Sequence, residues 1–269
     1  MKWLRHNAIV IYGGLAIAYM LIPIAVIAVF SFNDPTGKFN FTWQGFTFEH
    51  WKNAFGIEEL NEALTNSLQL AVLSTIFATL LGTLIALALV RYQFRGRKAT
   101  NLLIVIPMAT PEVVIGASLL SMFVYAGVGT GFETLLIAHI MFCISFVVVV
   151  VRSRLIGFDR SLEEAAADLG ASPLTSFRTV TFPLLAPGLI AAALLAFVLS
   201  LDDFVISAFN SGQTVTFPIF IFGASQRGIP VEVNVLATIL FLLSVVGMIL
   251  VVWQQRRADR MAASVPGAG

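Results

Sequence analysis

The sequence predicts an all-α integral membrane protein, a single domain over residues 1–269 with six membrane-spanning helices, and three observations carry this. Hydrophobic residues make up 58% of the chain and charged residues 12%, against about 45–50% and about 25% in a soluble domain. The mean hydropathy is +0.90. A soluble core of this size cannot hide that much apolar surface, so lipid must be the solvent. Six apolar stretches, at 8–32, 64–90, 99–126, 132–151, 184–209 and 233–253, each reach the ~20 residues that cross a bilayer core.

The first stretch follows Lys2 and Arg5 as a signal peptide would. Its apolar run is too long for an h-region and no small-x-small site closes it, so it reads as an uncleaved helix. The loop at 33–63 is rich in aromatics, and its segment 48–55 reads as a short helix lying on the membrane surface. In the third stretch, Pro107 breaks a turn and Thr110-Pro111-Glu112 restarts the helix, with Thr110 as N-cap and Pro111 at the first position. The fourth holds His139, Cys143 and Ser145. These read as weakly polar groups on a packed helix rather than as a nucleophile and its base. The fifth carries Asp202 and Asp203, ~27 Å along the helix and toward its outer end. After the sixth, the tail 262–269 reads as disordered.

Basic residues set the direction. Thirteen Lys and Arg fall in the termini and loops of one side, and only Lys38, Lys52 and Arg227 on the other. Both termini are therefore expected in the cytoplasm.

Several function classes drop out. A net charge of +1 gives no clustered basic surface for a nucleic acid. The single cysteine excludes an internal disulfide and any multi-cysteine metal site. No G-x-x-x-x-G-K-[ST] occurs, so ATP is not bound here as a P-loop protein binds it. H-E-x-x-H and G-x-S-x-G are also missing.

The longest cytoplasmic loop, 152–183, carries the main signal. Ser161 and Glu164 stand at capping-box spacing, and Gly170 is positioned to stop the helix they begin. Ser172 and Pro173 start a second helix that should end near Thr181, ahead of Phe182-Pro183. Ala165, Ala166 and Ala167 make the first helix narrow enough for another backbone to approach, and Glu163 and Glu164 lie where the helix dipole favours acids.

Glu164-Ala165-Ala166, then Gly170, Val180 and Phe182-Pro183 at their spacing resemble the E-A-A motif of ABC-importer permeases, with Val180 and Phe182 replacing Ile and Leu. The resemblance implies a type I importer in the bacterial cytoplasmic (inner) membrane. The first loop helix, with Glu163, Glu164, Ala165, Ala166 and Gly170, would be the coupling helix. The partners implied are a second permease subunit forming a heterodimer, two ATP-binding subunits and an external substrate-binding protein. ATP and Mg would sit on the ATPase partner, leaving this chain without a cofactor and without catalysis.

Further segments extend the likeness. Residues 91–97, 164–171, Leu199-Ser200-Leu201-Asp202-Asp203 and 230–238 resemble the second permease of spermidine/putrescine import systems. The implied substrate is a polyamine. The residues offer separate support, since Glu112, Asp202 and Asp203 fall inside spans that hold no Lys or Arg. A charge at the bilayer centre costs about 2.5–3.5 kcal/mol and so faces a cavity or a partner. A polycation would neutralise three such carboxylates. Glu112 has an equal alternative, satisfying the dipole of its restarted helix. Ser200 adds a hydroxyl, and Trp51, similar to the aromatic at that place in polyamine relatives, offers either a cation-binding face or an interface anchor. Two other readings compete: the same machine carrying another small solute, and an ion-coupled secondary transporter using these acids.

Overall fold

The structure, a computed structural model, describes residues 2–37 and 39–263. Lys38 and residues 264–269, most of the tail read as disordered, lie outside the described residues. Two compact units emerge, Glu59–Phe222 and Met1–Glu58 with Gly223–Gly269. Among the described residues regular structure is helical, apart from one isolated antiparallel bridge between Asn33 and Phe46.

In the smaller unit, α1 (Lys2–Phe30) packs against α12 (Val231–Ala263). The connection after α1 is tied by side chains. Asn33 donates to Asn40 Oδ1 and to the Thr42 carbonyl, and Asn40 donates to the Phe30 carbonyl. The surface helix expected over 48–55 contracts to one turn, α2 (Glu49–Lys52). The aromatics around it are instead spent on each other: Phe32 stacks on Phe46 and on Trp51. His50 Nδ1 lies 3.0 Å from Glu232 Oε1, tying α2 to the start of α12.

The larger unit is built around α6 (Phe132–Ile156), which buries Leu135, Ala138, Phe142, Val147 and Val151. Against it lie α4 (Arg97–Ala109) and α9 (Phe182–Leu201), and α3 (Glu58–Arg91) adds Ala78, Ala86 and Leu89 to the same core. α10 (Val205–Asn210) packs on α5 (Glu112–Tyr125) so closely that a side chain at Gly116 would meet Phe209 at 2.8 Å. α11 (Phe217–Arg227) follows, in a stretch the sequence reads only as a loop.

Three spans differ from their expected form. Residues 99–126 are not one rod, because α4 and α5 meet at a bend of 113°. Pro107 does not make this break; it sits inside α4. The break comes at Thr110 (φ −87°, ψ 134°), which the following proline drives out of the helical region. Pro111 then takes the N-cap position and Glu112 the first helical one, while Thr110 Oγ1 donates back to the Ile106 carbonyl.

Span five also departs from 184–209. The loop's second helix, α8 (Pro173–Ser176), does not end before Phe182-Pro183. It runs through one wide π turn, Phe177–Thr181, into α9, as one apolar rod over Pro173–Leu201. In that turn the Phe182 N–H reaches back to the Phe177 carbonyl, and the wider turn gives the Pro183 ring room that a regular turn lacks. At its far end the rod stops at Leu201, and 202–204 separate it from α10.

Among the described residues, four helices are long and apolar enough to cross a membrane, or five with the bent pair as one span. The apolar part of α12 among the described residues, Val231–Gly247, is shorter.

Candidate functional site: a coupling loop and carboxylates at two helix breaks

The loop helix α7 (Ser161–Asp168) forms as expected but is capped differently. Ser161 is already helical, and no capping box forms. Asp159 supplies the cap, its Oδ1 accepting the Ser161 N–H at 2.9 Å. That bond, followed by the one to the Ser161 side chain, holds the Asp159 carboxyl below its usual range. The sign follows: the cap contributes above the unfolded-state value of Asp159 and is lost as pH falls through the lowered folded-state value.

At the other end, Gly170 has φ +85°. Its N–H bonds the Ala167 carbonyl and the Ala171 N–H the Ala166 carbonyl, a Schellman stop. Ser172 caps the next helix through the Thr175 N–H, with Pro173 at the first position. Glu164 and Ala165 are exposed and Ala166 half-buried. Beside them Leu169 is 89% exposed, an apolar side chain left uncovered next to the stop. Glu163 differs. One carboxylate oxygen, Oε1, accepts from both Arg91 at the end of α3 and Thr181 of the π turn.

The acids gather at the two breaks. Glu112 opens α5 after the 113° bend, and Asp202 closes α9. Because α5 and α10 pack together, Glu112 lies within coulombic reach of Asp202 and Asp203. Glu112 and Asp202 are exposed, whereas Asp203 is buried. Asp203 Oδ2 accepts the Ser207 N–H at 2.8 Å and Oδ1 the Ile206 N–H at 3.3 Å, so this carboxylate caps α10. His139 Nε2 stands 3.4 Å from Asp203 Oδ2 and 3.1 Å from Ser207 Oγ. Its Nδ1 is 2.8 Å from Ser200 Oγ, which in turn meets Ser74 Oγ at 2.9 Å.

Ser200 is thus buried in this network rather than presented to a ligand. His139 pairs with Ser200, Ser207 and Asp203, not with Cys143, whose thiol points to the Ala196 carbonyl. All these side chains are buried, which leaves no approach for a reacting carbonyl. Trp51, in the other unit, stacks on Phe32 at 5.1 Å and donates its Nε1–H to Ser31 at 3.2 Å. One of its faces is therefore already covered.

Residue-type reasoning passed over His139, Arg91 and Thr181 as members of these clusters. A buried histidine at the depth of an aspartate is the one signal that points to the first. His139→Ala should be clearly destabilising, since it deprives Asp203, Ser200 and Ser207 of a buried hydrogen-bond partner, and each such loss costs about 1–3 kcal/mol. A thermal melt of the purified protein in detergent checks this, and an unchanged melt would remove the bracing role of the network.

Residues 78–260 match the family described as binding-protein-dependent transport system inner membrane component. The chain is 44% identical over 233 residues to the spermidine/putrescine transport system permease protein PotC of Escherichia coli strain K12, covering 86% of this chain and 88% of that one. It is 37% identical over 243 residues to the putrescine transport system permease protein PotI of the same strain, covering 87% and 85%. A solved bacterial ABC transporter involved in the import of the acidic polysaccharide alginate shares the fold, with a TM-score of 0.67 at 18% identity over 96% of this chain and 98% of that one. The apolar helices, the loop helix stopped at Gly170 and this match together place the chain in the family of binding-protein-dependent inner membrane transport components, as a type I ABC importer permease.

Proposed function

We propose that this permease forms half of a translocation pathway for polyamines, with ATP hydrolysed on a partner subunit. The observation that carries the substrate class is the placement of three carboxylates at two helix breaks, two of them exposed, in spans without a Lys or Arg. Broken helices are where membrane transporters place their ligands. Several amines spaced along a flexible chain match several carboxylates spaced along a path. The relatives whose names specify spermidine and putrescine support the same class.

In this reading Asp202 and Glu112 face the cation, Asp203 and Ser200 hold the break in shape, and Trp51 keeps an aromatic face for an amine. Glu164, Ala165, Ala166 and the Gly170 stop present α7 to the ATPase. The full assembly pairs this chain with a second permease, two ATP-binding subunits and an external binding protein; one related fold was solved with a substrate-loaded periplasmic protein. α12 supplies the sixth span, and both termini face the cytoplasm. Single cysteines test that direction in a Cys143→Ser background: Arg95→Cys and Glu164→Cys should resist an impermeant thiol reagent outside intact cells, while Lys52→Cys and Arg227→Cys should react. Reaction at position 164 from outside would reverse the orientation.

The function itself is tested in proteoliposomes. This chain alone under a proton or sodium gradient should take up no spermidine, and adding the partner subunits with ATP should start uptake. Gradient-driven uptake by the lone chain would make it a secondary transporter.

A further inference from the structure

Among the described residues, no side chain of α7 is buried. The helix that carries the E-A-A motif therefore does not rest on the rest of its unit through packed apolar groups, as α6 and α9 rest on each other. Polar contacts hold it instead. Arg160 reaches the Val90 carbonyl at 3.5 Å, a marginal contact, and the strong tie is Glu163. One of its two carboxylate oxygens, Oε1, accepts from the Arg91 guanidinium and the Thr181 hydroxyl together.

These partners are placed at two helix ends. Arg91 is the last residue of α3, where the dipole favours a cation. Thr181, 1% exposed, is the last residue of the π turn. From that turn α9 runs unbroken to Leu201, one residue before Asp202. Beside the clamp lies an open cleft whose lining includes Ala167, Ala171, Pro173 and Phe177, so close packing does not flank the tie on that side.

We propose that Glu163 is a positioning residue that transmits movement of α7 to α3 and α9 through Arg91 and Thr181, and does not itself dock on the ATPase. Neighbouring acids then have opposite duties. Glu164 faces outward, while Glu163 faces its own subunit and makes the helix pull on the rods that lead to the helix break. The proposal rests on the permease reading above. A charge-assisted bond suits this task, because it is about twice as strong as a neutral one.

The test uses the assembled importer in proteoliposomes, with two readouts: retention of the ATPase subunit on purification, and ATP hydrolysed per spermidine imported. Glu163→Ala and Arg91→Gln should retain the ATPase subunit while ATP consumed per spermidine rises about fivefold or more, the lower range for coupled sites. The exchange Arg91→Glu with Glu163→Arg should bring the ratio back toward the starting value. Should Glu163→Ala leave the permease itself unfolded or uninserted, Glu163→Gln removes the charge at constant size and is judged in the same way. Unchanged stoichiometry in both single variants would overturn the proposal. So would loss of the ATPase subunit from Glu163→Ala as complete as from Glu164→Lys, since Glu163 would then be a docking residue. The Glu164→Lys arm separates the two ideas: if it keeps its ATPase subunit and its coupling, the docking reading of α7 fails, whatever Glu163 does.

Discussion

Gly170→Val should leave the chain inserted and abolish substrate-stimulated ATP hydrolysis in the assembled importer. At φ +85° a left-handed residue closes α7, and nothing lies within 4 Å of where its Cβ would be. The penalty is therefore conformational and not a clash. It is about 1–2 kcal/mol for an ordinary L-residue and more for a β-branched one. The chain escapes by giving up the Schellman bonds of Gly170 and Ala171, which re-aims α7 relative to the start of α8. Asn, which tolerates this conformation, should be mild at the same position. Glu164→Lys should give the same loss by another route. It reverses the charge of an exposed residue at the dipole-favoured end of α7, on the surface proposed to meet the ATPase. ATPase stimulation and uptake measured on one preparation decide it: normal values in both variants would mean that this loop is not the docking site.

Asp202→Asn should lower spermidine uptake about tenfold or more at subsaturating concentration. Side-chain volume is nearly kept and the carboxylate charge is lost. A hydrogen bond to a charged group contributes about 1.5–3 kcal/mol, and 1.4 kcal/mol is a decade in affinity. Glu112→Gln should follow in kind if that side chain faces the path; if it serves only the dipole of α5, its effect is small. Asp203→Asn should behave differently from Asp202→Asn. Its carboxylate caps α10 and meets His139 inside the bundle. Weakened thermal stability should thus accompany any loss of uptake. Wild-type uptake rates in both aspartate variants would remove the cation site from this chain.

Four of the expected spans, and a fifth as a bent pair, were legible because hydropathy is a sum over some twenty residues and tolerates local error. The stop of α7 and the start of α8 were legible for a different reason: Gly170 and Ser172-Pro173 act on their own backbone and need no tertiary partner. The cap of α7 was missed because a one-residue shift in where the backbone turns helical hands the role from Ser161 to Asp159. The break after Leu201 has no glycine or proline to announce it. It is held by Asp203 and by His139 on α6, a contact that exists only once the helices pack. Pro183 misled in the opposite sense, because a single π turn absorbs it. Arg91 could be read only as one cytoplasmic charge among many, since its partner lies on an element joined to it by folding rather than by sequence. Trp51 shows the same limit: its indole is engaged by Phe32 and Ser31.

The central claim is that ATP hydrolysis coupled through the 161–170 helix drives a polycation past the carboxylates at the two breaks. Initial rates in proteoliposomes holding the complete importer, with ATP on the side of the coupling loop, test it most directly. Labelled spermidine should accumulate only with ATP, and excess putrescine should compete while a neutral diol of similar length should not. Accumulation of the neutral solute in preference to spermidine, or spermidine uptake indifferent to ATP, would contradict the account.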